Sequence, residues 1–176
     1  MLDVKLITKD DIKKYKQLSY TIKSDNIDQF ILEAQIQDVA PLLGERLFNA
    51  VIKAPEDFEA LLDGGEYTVA GETFTNYGLK ACLAHYAYSR YRYGAGIVET
   101  PTGFVQKLSG QDSQPESETT RKNQYNLNRD TAFTIWKSVE NYLIRTDNEL
   151  FAYTVLGCKR KQPERRPGGF RLSKIG

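Results

Sequence analysis

The chain has 176 residues, 40% of them hydrophobic and 27% charged, with 24 Lys/Arg against 23 Asp/Glu. That length fits one domain of ordinary size with its own core, and no apolar run approaches the roughly 18 residues that a membrane span needs. One histidine and two cysteines leave no disulfide framework and no paired Cys/His zinc site, and MLDVKLITKDDIKK has no apolar signal core, so a reducing cytoplasm is expected.

Thr8, with Asp11 three residues on, predicts the start of a short polar helix that ends before Ser24-Asp25-Asn26. A stronger helix begins there, with Ile27, Phe30, Ile31 and Ala34 on one stripe and Leu32, Ile36, Val39 and Leu43 on a second. Pro41 marks a boundary or kink, and Gly44 separates a short helix carrying Leu47, Phe48, Val51 and Ile52. After the Asp63-Gly64-Gly65 turn, Tyr67–Val69 and Glu72–Phe74 flank Ala70-Gly71 as a small hairpin.

The helix predicted over 76–93 is the hub. Leu79, Cys82, Leu83, Tyr86 and Ala87 follow one helical repeat, and Ala81, Ala84, His85, Tyr88 and Tyr91 the other side, so it belongs in the middle of a bundle. An insertion over 94–117 follows. Ile97-Val98 and Phe104-Val105 pair across Thr100-Pro101-Thr102-Gly103, where Pro and Gly suit a turn, and SGQDSQPES is polar. A long helix is predicted over 118–145: its first half is polar, and its second half carries Ala132, Ile135, Trp136, Val139, Tyr142 and Leu143 at helical spacing. Residues 149–156 form a short apolar element that we assign as helix, although Tyr153-Thr154-Val155 equally suits a strand. The fold class expected is mainly α: a helical bundle with two long helices, a small β-hairpin, a protruding loop or hairpin, and an extended C-terminal tail. The body is assigned to 1–157 and the tail to 158–176.

The near-balance of charge hides an asymmetry. Seven of the 24 basic residues (Lys159, Arg160, Lys161, Arg165, Arg166, Arg171, Lys174) fall in the tail, with Glu164 its single acid. The remaining 17 face 22 acids in the body. Pro163, Pro167 and Gly168-Gly169 oppose a helix there, while Phe170, Leu172 and Ile175 are spaced apolar residues that a merely solvating segment does not need. A basic, extended segment with apolar anchors fits docking on another surface. A nucleic-acid clamp is the alternative, although it has no use for those three apolar residues.

Catalytic chemistry is not expected. His85 lies on the tyrosine-rich helix and reads as a structural residue bonded to a neighbour, and Cys82 reads as a small core residue. Gly94-Ala95-Gly96 lacks the third glycine and preceding strand of a dinucleotide site. Asp10-Asp11 and Glu116/Glu118 read as solvated carboxylates. No cofactor and no metal are called for.

Four segments in order, ILEAQIQDVAPLLGERLF, LLDGGEYTVAGETFTNYGLKACLAHYAYSRY, TPTGFVQKLS and PGGFRLSKIG, make the chain resemble the head-to-tail connector (adaptor) proteins of tailed bacteriophages, in particular relatives from phages and prophages of Bacteroidota. The resemblance covers most of residues 20–176. It implies a structural virion protein at the capsid–tail junction, assembled in the bacterial host cytoplasm, and not an enzyme. It also implies a homo-oligomeric ring, commonly of twelve subunits, beneath the portal protein. Further tail or stopper proteins would follow the ring, and DNA would pass through it without sequence-specific binding or any membrane contact. By position, Arg165, Arg166, Phe170, Arg171, Leu172, Lys174 and Ile175 would dock on the portal. The loop from Thr100 to Gln114, with Thr100, Pro101, Thr102, Gly103, Phe104 and Lys107, would face the channel or a neighbouring ring. Tyr88, Tyr91, Tyr93, Arg121, Tyr125 and Arg129 would be subunit contacts.

Overall fold

The computed structural model describes residues 4–18, 24–94, 97–100, 103–106, 116–151, 154–155 and 158–159. Helix α1 (Lys9–Lys13) opens on a reciprocal cap: Thr8 Oγ1 accepts from the Asp11 amide, and the Asp11 carboxylate accepts from the Thr8 amide at 2.9 Å. Helix α2 (Ser24–Ala34) begins at the polar cluster where the sequence places it and buries Ile27, Ile31 and Ala34.

Beyond Ala34 the chain departs from the expected continuous helix. Gln35–Val39 forms a π-helical turn, closed by the Ala40 amide donating to Gln35 O, before α3 (Ala40–Leu43). Pro41 has no amide hydrogen and its ring crowds the carbonyl of the preceding turn, and a wider turn placed just before it relieves both problems. The extra residue shifts the helical phase. Ile36, expected on a buried stripe, is 47% exposed, and Gln35 takes the inward position with its side chain fully buried. Gln35 is satisfied there: its Oε1 accepts from Leu6 N at 3.0 Å and its Nε2 donates to Val4 O at 2.8 Å.

Helix α4 (Glu45–Lys53) buries Leu47, Phe48 and Val51 as its stripe predicts. A 3-10 turn (Pro55–Phe58) and the short α5 (Glu59–Leu62) follow. Strands β1 (Gly65–Val69) and β2 (Glu72–Asn76) pair antiparallel, Val69 opposite Glu72, around Ala70 and Gly71. Both turn residues have positive φ, 54° and 84°, the requirement of the tight hairpin turn that matches strand twist. At the hairpin's foot the backbones touch. A Cβ on Gly64 would lie 2.4 Å from Asn76 O, and one on Gly78 would lie 2.7 Å from Asp63 O.

Helix α6 (Leu79–Gly94) buries Leu79, Ala81 through Ala87 and Ser89. It is the central helix, as its all-round apolar pattern predicts. The long helix α7 (Glu118–Arg145) matches the expected limits; Asn128, Ala132, Trp136, Val139 and Leu143 face inward. The two helices run antiparallel, joined in part by the Cys82 thiol donating to Ala132 O at 3.3 Å. Between them, β3 (Ile97–Thr100) pairs with β4 (Gly103–Gln106), Val98 opposite Val105, the hairpin read from the sequence. Ser138 of α7 fastens the first hairpin by accepting from Tyr77 N at 3.2 Å and donating to Thr75 O at 2.9 Å.

One element needs correcting. The helix assigned to 149–156 is absent among the described residues: β5 (Thr154–Val155) pairs antiparallel with β6 (Cys158–Lys159). β-branched Thr-Val favours the extended form, and the pairing joins Cys158 and Lys159, the first two residues assigned to the tail, to Val155 and Thr154. The fold is mainly α, as expected.

Candidate interaction surface

The C-terminal end of α6 and the N-terminal half of α7 bring most of the polar and aromatic candidates together. Their organising group is Asp38, whose side chain is 3% exposed on the π-helical turn. It accepts from Arg90 Nε of α6 at 2.7 Å and lies 3.0 Å from Arg129 Nη1 of α7. One carboxylate thus ties three helical segments. Such charge-assisted bonds are short and directional, and fix orientation as much as they add energy.

Arg129 also lies over two aromatic faces, 5.4 Å from the Tyr86 ring centre and 5.3 Å from that of Tyr125, and donates to Tyr125 Oη at 2.8 Å. Burial works against its charge, but Asp38 and Tyr125 outweigh that and raise its pKa. Burial, with Cys82 and Asp38 nearby, pushes the Tyr86 phenol up to about 12. Tyr125 meets Tyr93 at 5.4 Å, and Tyr93 is 46% exposed at the end of α6. Arg92 donates to both carboxylate oxygens of Glu116, at 2.8 and 2.7 Å. Arg121, one turn before Tyr125, is half-buried, and its Nε is buried without a hydrogen-bond partner.

The six residues read as subunit contacts therefore divide. Tyr93, Arg121, Tyr125 and Arg129 gather at one end of the α6–α7 pair. Tyr88 and Tyr91 are half-buried on the side facing α1 and α2: Lys16 lies over the Tyr88 ring at 5.6 Å, and Phe30 meets Tyr91 edge-on at 5.9 Å. Thr100, Gly103 and Phe104 lie in the β3–β4 hairpin at the same end of α6, with Thr100 opposite Gly103 and Glu99 opposite Phe104. Pro101, Thr102 and Lys107 lie outside the described residues. So do Arg165, Arg166, Phe170, Arg171, Leu172, Lys174 and Ile175.

Asp38 and Gln35 escaped the sequence reading. The run Ile31–Leu43 also carries Glu33 and Gln37, so residue type alone did not single out Gln35 and Asp38 as the two that turn inward. His85 differs from its expected role. It is buried, its Nδ1 has no hydrogen-bond partner, and its ring lies 6.2 Å from that of Tyr15. Burial, with the Lys16 charge added, lowers its pKa to about 4. Burial also pushes the Cys82 thiol up, away from nucleophilic use. Among the described residues, no group of three or more His, Cys, Asp or Glu is placed to hold a metal ion, and no helix is long and apolar enough to cross a membrane. A hollow of about 430 Å³ is lined by Lys5, Lys9, Lys13, Asp10, Asp28, Thr8 and Ser24. Inside it Lys5 pairs with Asp28 and Lys13 with Asp10.

A family profile described as a family of unknown function, DUF6712, matches residues 39–161. The chain belongs to DUF6712. The matched region runs from the end of the π-helical turn through both hairpins and the α6–α7 pair to β6, so the DUF6712 unit contains Arg90, Arg121, Arg129 and the aromatic edge. It begins one residue after Asp38. No curated protein and no solved structure matches the chain.

Proposed function

We propose that this protein is a structural subunit of a tailed-phage head-to-tail connector, assembling as a ring beneath a portal protein and extending the DNA channel. The observation that carries the reading is the β3–β4 hairpin between the antiparallel helices α6 and α7, at the same end as the Arg/Tyr surface. The resemblance puts a channel- or ring-facing loop at that position in the chain order, and an aromatic, arginine-bearing surface suits protein contact. The basic tail supplies a second, chemically different contact, directed at the portal through Phe170, Leu172 and Ile175. Different patches on one subunit are what a closed head-to-tail ring requires. Ordering an extended segment on binding costs about 2–5 kcal/mol, which many copies acting together offset.

Negative-stain microscopy with native mass measurement, on the chain alone and with a candidate portal, tests the reading. A ring with a central hole is expected; a strict monomer in both conditions overturns it. Truncation after Lys159, which keeps the β5–β6 pair, should leave the body folded by circular dichroism and abolish portal capture. The composition of the tail supports a second reading, nucleic-acid binding. It predicts a monomer that binds duplex DNA with a log–log salt slope of roughly −5 for about six neutralised phosphates.

A further inference from the structure

Two buried side-chain nitrogens among the described residues have no hydrogen-bond partner, His85 Nδ1 and Arg121 Nε. An unsatisfied buried donor on a charged group is destabilising and rare in native structures. His85 limits the cost by remaining neutral. Arg121 has no such route, because a guanidinium keeps its proton in proteins.

Two carboxylates at the α6–α7 end, Glu116 and Asp38, are already engaged, and Glu118 makes no ion pair with Arg121. Glu116 is held by both oxygens on Arg92, and Asp38 is shared by Arg90 and Arg129. Arg121, one turn of α7 before Tyr125, therefore stands as a cation with no ion-pair partner among the described residues. Glu118, exposed in the same turn of α7, disfavours a polyanion such as DNA at this spot and leaves a protein carboxylate as the fitting counter-charge.

Such carboxylates lie at the opposite end of α6. Glu56, Asp57 and Glu59 are exposed on the 3-10 turn and α5, and none of the ion pairs among the described residues includes them. Asn76 Nδ2 donating to Ala60 O at 2.8 Å and the Lys80–Asp63 pair, also at 2.8 Å, hold that segment beside the start of α6. Arg121 belongs to its finish. Helix α6 has 16 residues and spans about 24 Å. Complementary patches at opposite ends of one rod favour head-to-tail association, whereas a two-fold dimer needs one self-complementary patch.

We propose that Arg121 pairs with the Glu56/Asp57/Glu59 carboxylates of a second copy of this chain across a head-to-tail interface, with Tyr93 and Tyr125 packed beside the pair. The inference rests on the ring reading and adds its contact residues.

The test uses the full chain, with sedimentation and native mass measurement of self-association and thermal melting as the check on folding. Arg121→Glu should weaken association at least about tenfold, as reversal of one partner in an interfacial charge pair does. The triple variant Glu56→Lys, Asp57→Lys, Glu59→Lys should weaken it similarly. All four changes combined should restore assembly. If Arg121→Glu does not fold, the triple variant mixed with wild type keeps the test alive: the mixture should still associate through wild-type carboxylates, while the triple variant alone should not. Normal assembly of either reversed variant overturns the pairing, as does failure of the combined variant to recover. A wild type that stays monomeric at all concentrations overturns the ring reading itself. An Arg121→Glu protein that assembles normally but loses salt-sensitive duplex binding assigns the arginine to phosphate and sinks the proposal.

Discussion

Two stretches of α7 face α6 with opposite chemistry. Over 132–143, Ala132, Trp136, Val139 and Leu143 are buried in a dry apolar seam, and Trp136 also meets Phe151 at 6.3 Å. Over 121–129, Asn128 is buried and Tyr125 and Arg129 are half-buried, the latter two held by a hydrogen bond, a buried carboxylate and aromatic faces, while Arg121 Nε is buried without a partner. The dry stretch takes its free energy from area removed from water, which is large and non-directional. The polar stretch gains less net free energy, since desolvation offsets much of its attraction, but it fixes angles and leaves one guanidinium nitrogen unmatched. The dry end of the helix supplies the larger free energy, and the polar end the directional contacts.

Removing the largest dry side chain gives the sharpest version of the contrast. Trp136→Ala should destabilise the fold by about 3–5 kcal/mol, read by urea denaturation. A loss below about half a kcal/mol, the range of ordinary surface changes, would mean that the seam is not the source of stability. The next effect strikes the polar stretch. Asp38→Ala leaves Arg90 and Arg129 facing each other without their shared carboxylate. A loss of about 3 kcal/mol is expected, at the low end for a broken buried pair, because the Arg129 side chain is 36% exposed and water screens part of the repulsion. If Asp38→Ala matched or exceeded Trp136→Ala, the division of labour between the two stretches would be wrong.

What the sequence made legible follows the range of the interactions involved. The Thr8–Asp11 cap, the Ala70-Gly71 turn and the limits of α7 are set by residues within a few positions of one another, and the structure bears all three out. The β3–β4 pairing was readable for the same reason. The π-helical turn was not, because it depends on Gln35 reaching Val4 and Leu6 and on Asp38 reaching residues 52 and 91 positions away. Gly64 read as an ordinary turn residue and Gly78 fell inside the helix predicted over 76–93; the close approach at both positions is seen only in three dimensions. The β5–β6 pair overrode an apolar run that suited helix or strand alike. Of the interaction surface, the aromatic and arginine content was visible. The carboxylate that organises it and the missing partner of Arg121 are facts of three-dimensional placement.

The smallest effect tests whether the other unmatched nitrogen behaves differently from Arg121. His85 is neutral in the folded protein, with its pKa lowered from 6.5 to about 4 by burial and by Lys16. In the unfolded chain it takes up a proton near its ordinary value, so between pH 6.5 and about 4 the unfolded state binds more protons than the folded one. Its contribution to stability is therefore complete above pH 6.5 and is lost as the pH falls toward 4. Carboxylates also titrate across part of this range, so the measurement is a difference: urea denaturation of wild type and His85→Gln at pH 7 and pH 5. Wild type should lose more stability than the variant between the two. Equal losses would show that His85 keeps its proton equilibrium on folding, and the contrast between a nitrogen that can shed its charge and one that cannot would fall with it.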